Sequence, residues 1–200
     1  EQPSQHLRPK SPVGIVTVRE TFAWSAAPDD DYVIVKYSLT NTNSTAVTGL
    51  RVGYIADPDF ADNVTTQHFQ NRAFFDLATQ SARIRTANTT AQHGIGLIGR
   101  QASGYAGWQN GPSTATYPLR DPASNEGWWS LLSTTDLVER GPADVRQYIG
   151  AEELTIPAGG TEVVAFVLAG GDDAADLSAN LSAARARGAA LLKGTSARGE

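Results

Sequence analysis

The sequence contains no cysteine and no methionine. Without cysteine there is no disulfide framework, no thiolate zinc site and no thiol nucleophile, so packing must supply the stability. Without methionine, Glu1 is not a translation start, and the chain is expected to be a processed product or a piece of a longer one. That expectation points to export or excision, and the missing cysteine fits a bacterial envelope protein, whether periplasmic, cell-surface or secreted. Long apolar runs are also missing. The longest near the C-terminus, residues 163–169, falls far short of the roughly 20 residues a membrane-crossing helix needs, and it predicts a strand. No block of Lys or Arg occurs, and the net charge is −5, so neither nucleic acid nor an anionic membrane surface is an expected partner.

What the chain has in quantity is turn chemistry. Nineteen Gly and ten Pro in 200 residues favour many short strands over long helices. Residues 1–12 carry Pro3, Pro9 and Pro12 among polar side chains and predict an extended arm, leaving 13–200 as a single domain. Residues 14–24 are rich in β-branched and aromatic types, and Pro28-Asp29-Asp30-Asp31 closes that strand with a turn. The clearest strand is 32–40, with Val33, Val35, Tyr37 and Leu39 on one face and Lys36, Ser38 and Thr40 on the other, the period of a half-buried strand. An Asn-Thr turn then leads to a strand over 50–56, expected as its antiparallel neighbour. Further strands are predicted at 73–77, 82–86, 95–100, 145–151 and 161–168. A short helix is predicted near 124–133 and a second near 173–192, where Leu177, Leu181, Ala184 and Leu191 share a face and Asp172 or Asp173 caps the N-terminus. The fold expected is mainly β, a two-sheet antiparallel β-sandwich with these two helices added.

Three segments carry a family resemblance. They are residues 31–42 (DYVIVKYSLTNT) running into 49–60 (GLRVGYIADPDF), residues 126–133 (EGWWSLLS), and residues 154–172 (LTIPAGGTEVVAFVLAGGD). Together they resemble the β-sandwich accessory modules of large secreted or cell-surface bacterial proteins, including modules that flank subtilisin-like peptidases. The resemblance implies an extracytoplasmic, non-catalytic domain, with Ca²⁺ sites in some members.

Asp57, Asp59 and Asp62 cluster hard oxygen ligands at the end of a strand, which makes them the candidate Ca²⁺ loop. The spacing departs from an EF-hand, and the plain alternative is a polar turn. Asp29-Asp30-Asp31 is a second such cluster, read as a solvated turn. Gly94, Gly96 and Gly99 satisfy G-x-G-x-x-G, but no helix pattern follows, so they predict a strand packed closely on a neighbour instead of a dinucleotide cradle. His6, His68 and His93 show no metal-ligand spacing, and no G-x-S-x-G elbow occurs.

Tyr105, Trp108 and Tyr117 lie among Gly, Asn and Ser, where rings can be exposed to stack on a sugar or anchor a partner, with Trp108 the foremost. Trp128 and Trp129 are expected to cover a sheet edge from the short helix. The leading expectation is a non-catalytic structural or interaction module, bound to protein partners in a larger assembly or a parent polypeptide. A Ca²⁺-dependent carbohydrate-binding module is the alternative, and a β-sandwich glycosidase or epimerase ranks last, because no acid, base or nucleophile constellation stands out.

Overall fold

The computed structural model describes residues 13–58, 70–109 and 125–193. The Pro-rich arm, Asp59, Asp62 and Tyr117 lie outside the described residues. The described chain is mainly β, with twelve strands and two helices. In order these are β1 (Ile15–Ala23), β2 (Tyr32–Asn41), β3 (Val47–Leu50), β4 (Gly53–Ala56), β5 (Asn71–Asp76), β6 (Ser81–Thr86), β7 (Gln92–Ile98), β8 (Ala102–Gln109), α1 (Asn125–Leu132), β9 (Arg140–Ala143), β10 (Val145–Ala151), β11 (Leu154–Ile156), β12 (Thr161–Gly171) and α2 (Ala174–Lys193).

Seven strands form one antiparallel sheet in the order β1-β2-β12-β7-β6-β5-β9. A three-stranded sheet, β4-β10-β8, and a ribbon, β11-β3, make up the rest. Both faces of the large sheet are covered. On one face, Leu39, Leu97, Val164 and Phe166 share a buried cluster with Tyr105, Ile149 and Ala151 of the three-stranded sheet and Leu154 and Ile156 of the ribbon. On the other, Ile34, Ile98, Ala165 and Val167 pack against Leu177, Leu181 and Ala184 of α2.

This double cover corrects the expectation of a half-buried β2. The polar-looking face of β2 lies on the α2 side, and Lys36 there is buried, its ammonium paired at 2.5 Å with Glu20, the residue directly opposite on β1. The expected pairing of residues 32–40 with 50–56 is also absent. Both edges of β2 are taken, by β1 and by β12, and β4 pairs with β10 instead. Asn41 turns the chain away at this corner. Its amide nitrogen donates to the carbonyls of Thr45 (2.8 Å), Ile156 (2.9 Å) and Pro157 (3.1 Å), and its side-chain oxygen accepts the Asn43 backbone N–H at 3.0 Å. A buried amide with this many partners fixes one path for the chain.

The α2 helix forms as its sequence predicts. Asp173 accepts the N–H groups of Ala175 (2.8 Å) and Asp176 (2.9 Å), satisfying two of the orphan donors at the N-terminus. The glycines of β7 set how near the helix lies. A Cβ on Gly94 would sit 3.2 Å from a Leu177 methyl, and one on Gly96 would sit 2.5 Å from Arg185 Nη2. The G-x-G-x-x-G spacing therefore belongs to a strand pressed under a helix. Arg185 ties the layers together, donating to the carbonyls of Leu97 (3.0 Å) and Gln80 (3.1 Å).

Candidate functional site

Asp57, one residue beyond β4, accepts a hydrogen bond from Arg146 Nε of β10 at 2.8 Å. One carboxylate of the expected Ca²⁺ loop is thus engaged by a guanidinium from the neighbouring strand. In the other acidic turn, Asp29 accepts the Tyr32 hydroxyl, and Arg187 of α2 lies 3.9 Å from its second oxygen. Among the described residues, no group of three or more His, Asp and Glu side chains could hold a metal ion.

The aromatic residues are not where the sequence places them. Tyr105 and Trp108 are each 1% exposed, so the expectation of accessible rings is overturned for both. The reason is β8, a strand that the sequence pattern does not predict. It is an edge strand of the three-stranded sheet, and that sheet is covered on both sides. Tyr105 points towards the large sheet and meets Phe75 with ring centroids 5.2 Å apart. Trp108 points the other way, into a cluster with Ala106, Tyr148 and Leu131 that Trp128 and Leu132 of α1 help to close. Burial, with Asp136 nearby, holds the Tyr105 hydroxyl far above its usual pKa. Of the helix tryptophans, Trp128 is half-buried as expected, whereas Trp129 is exposed, with the Arg51 guanidinium carbon 5.1 Å from its ring centroid.

The cover under α1 rests on a feature with no motif signature. Gly53, Gly150 and Gly104 stand directly opposite one another across β4, β10 and β8. A Cβ on each would lie 2.0 Å, 1.7 Å and 3.1 Å respectively from atoms of Tyr148. The three glycines therefore form a bare trough in which the Tyr148 ring lies. Its hydroxyl donates to the Leu132 carbonyl at 3.2 Å, and burial raises its pKa to about 12.

Two open clefts of similar size flank the large sheet. The first, about 550 Å³, lies at the β1 end, with Val33, Val35 and Leu168 on its floor and Arg19, Tyr54 and His93 around them. Asp30 and Asp31 stand at its rim. Burial lowers the pKa of His93, so its imidazole is neutral at pH 7. The second, about 540 Å³, is bordered by Gln80, Arg100, Glu152 and Arg185. Its cations are committed: Arg100 is bonded to Glu152 (3.0 Å), Glu162 (2.5 Å) and the Val163 carbonyl (3.2 Å).

The backbone of β1 forms one edge of the large sheet. Its register with β2 runs unbroken from Ile15 to Ala23, and among the described residues no strand pairs with its other side. The hydrogen-bond phase follows from two bonds. Thr42 N–H donates to Gly14 O at 2.8 Å, and Asn41 N–H donates to Gly160 O at 2.9 Å. Even-numbered residues of β2 therefore bond to β1 and odd-numbered ones to β12. By the same alternation, Ile15, Thr17, Arg19, Thr21 and Ala23 direct their N–H and C=O groups away from the sheet. Between them, Val16 and Val18 are 52% and 53% exposed. Neither the protein-family models nor the curated proteins provide a match to this chain.

Proposed function

We propose that this chain is a non-catalytic structural or interaction module that works outside the cytoplasm, as an accessory subunit or as one domain of a larger envelope or surface assembly. The observation that carries this reading is the β1 edge. Nine residues without Pro or bulge present a row of outward donors and acceptors beside two exposed valines, the arrangement that accepts a further strand. The fold is read as a two-sheet sandwich, supported by the cluster that Tyr105 and Ile149 share with Leu97 and Phe166. Support for an extracytoplasmic place comes from the resemblance carried by residues 31–42, 49–60, 126–133 and 154–172, with which the absence of cysteine is compatible. The carbohydrate-binding alternative loses its two described rings, because Tyr105 and Trp108 face the interior.

Isolation of the native protein with mild cross-linking, beside a Thr17→Pro variant, tests the reading. The expected result is a complex with another polypeptide that the variant weakens, since Pro removes an outward N–H from the edge. A native protein that carries no partner chain, and behaves identically with Pro at position 17, refutes it.

A further inference from the structure

We propose that the strand added to β1 is β1 of a second copy of this chain, antiparallel about a two-fold axis, joining two seven-stranded sheets edge to edge. This rests on the reading of β1 as the interaction edge and adds the identity of the partner.

The argument is one of self-complementarity. When an antiparallel strand joins a sheet with its faces continuous, residue i of one copy lies opposite residue j of the other with i + j even, and i equals j at the axis. Four placements near the middle of β1 follow. Centring on Arg19 sets Arg19 against Arg19, and centring on Glu20 sets Glu20 against Glu20, both unfavourable like-charge pairs. Centring on Thr17 shortens the overlap. Centring on Val18 gives the longest pairing in which no like charges face each other: Thr17 opposite Arg19, Val16 opposite Glu20, and Ile15 opposite Thr21 of the second copy.

The hydrogen-bond phase agrees with this placement. Thr17, Arg19, Ile15 and Thr21 are the residues whose N–H and C=O groups point outward, so they become hydrogen-bonded pairs. Val18 falls at a non-hydrogen-bonded position, where cross-strand side chains come closest. The two exposed Val18 side chains then cover each other. The strand itself is electrically balanced, carrying one Arg and one Glu, which lets two molecules of net charge −5 meet at this edge. The opposite edge of the sheet offers no equivalent. There β9 is four residues long, contains Pro142, and pairs irregularly with β5.

Sedimentation of the purified chain over a concentration series, with three variants, tests the proposal. The parent chain is expected to form a weak dimer, with a dissociation constant on the order of micromolar for so small an interface. Thr17→Pro deletes an N–H that points away from β2, so the monomer keeps its ladder while the dimer loses two bonds across the axis. Its dissociation constant is expected to rise about tenfold or more, with an unchanged urea midpoint. Val18→Lys places two ammonium groups at the axis and is expected to abolish the dimer, which provides a second readout should the Pro variant unfold. Because the chain has no cysteine, Val18→Cys is expected to give a covalent dimer on mild oxidation, far faster than Arg19→Cys does.

A chain that sediments as a monomer at every concentration overturns the proposal. So does a dimer indifferent to both Thr17→Pro and Val18→Lys, or one that cross-links at Arg19→Cys in preference to Val18→Cys. A purified monomer that still holds another protein through β1 in the native isolate removes the second copy and leaves the proposed function standing. A chain that does neither removes both.

Discussion

Gly150→Ala is the substitution whose effect the structure defines most closely. The new methyl would lie 1.7 Å from the Tyr148 hydroxyl oxygen and 2.5 Å from the ring carbon that bears it, so the ring must leave its trough. Overpacking of this kind costs about 1–3 kcal/mol. Losing the hydrogen bond from Tyr148 to the Leu132 carbonyl adds about 1 kcal/mol, and the lower backbone entropy of Ala in a strand returns about 0.5–1 kcal/mol. The net expectation is a loss of about 1–3 kcal/mol.

The same cause can be isolated in a cycle. Tyr148→Ala removes a buried ring and should itself cost about 3–5 kcal/mol. In that background the three atoms nearest the new methyl, all of the Tyr148 side chain, are gone, and Gly150→Ala should become neutral or slightly stabilising, giving a coupling of about 1–3 kcal/mol from urea midpoints at constant m-value. Gly53→Ala, whose Cβ would lie 2.0 Å from the ring but also 3.0 Å from the Ile149 carbonyl oxygen, should be rescued only in part. Gly170→Ala, with open space around its Cβ, is the neutral control. Equal penalties for Gly150→Ala with and without the Tyr148 ring would refute the trough as their cause.

Two further stability measurements follow from buried polar groups. Gln147 is buried, and neither its amide nitrogen nor its oxygen has a hydrogen-bond partner among the described residues; Gln147→Leu is expected to raise the stability by about 1–2 kcal/mol, and a loss would show that the amide is satisfied by internal water. Burial holds His93 neutral in the folded chain to a pH below its ordinary range, so the unfolded chain takes up the proton first. Stability from this group is present above the unfolded pKa of about 6.5 and declines as pH falls from there, by at most about 1.4 kcal/mol per unit. His93→Asn should flatten the urea midpoint between about pH 7 and pH 5 relative to the parent, and parallel curves would count against a desolvated imidazole.

What was legible in the sequence is what depends on near neighbours in the chain. The alternation of Val33, Val35, Tyr37 and Leu39 marks β2, the stripe from Leu177 to Ala184 with Asp173 ahead of it marks α2, and the absence of a helix after Gly99 marks β7 as a strand. Strand β8 was missed because Gly104 and Gly107 weaken its propensity. Their purpose appears only when β10 and β5 lie alongside, since a Cβ on Gly107 would be 3.1 Å from that of Ala73. Trp108 is misplaced for the same reason, because its small and polar neighbours signal exposure only where no strand pairs the segment into a sheet. The bond from Arg146 to Asp57 spans 89 residues and has no local signature.

The β1 edge lies between these cases. Its β-branched residues were readable as a strand, but its position at the end of the sheet was not, because that depends on β12 reaching the far side of β2 across more than half the chain. An edge normally carries its protection in its own sequence: a proline, a bulge, an inward charge, or brevity. By that standard the two edges of this sheet differ. The β9 edge has brevity, Pro142 and an irregular register, while β1 has none of the three, and its carboxylate at Glu20 is directed to the buried Lys36. The Lys36 pair therefore holds β1 against the sheet and at the same time ties up a charge that would otherwise guard the edge. A strand anchored by a buried cation, with valines left outward at the positions of closest cross-strand approach, is built to be continued.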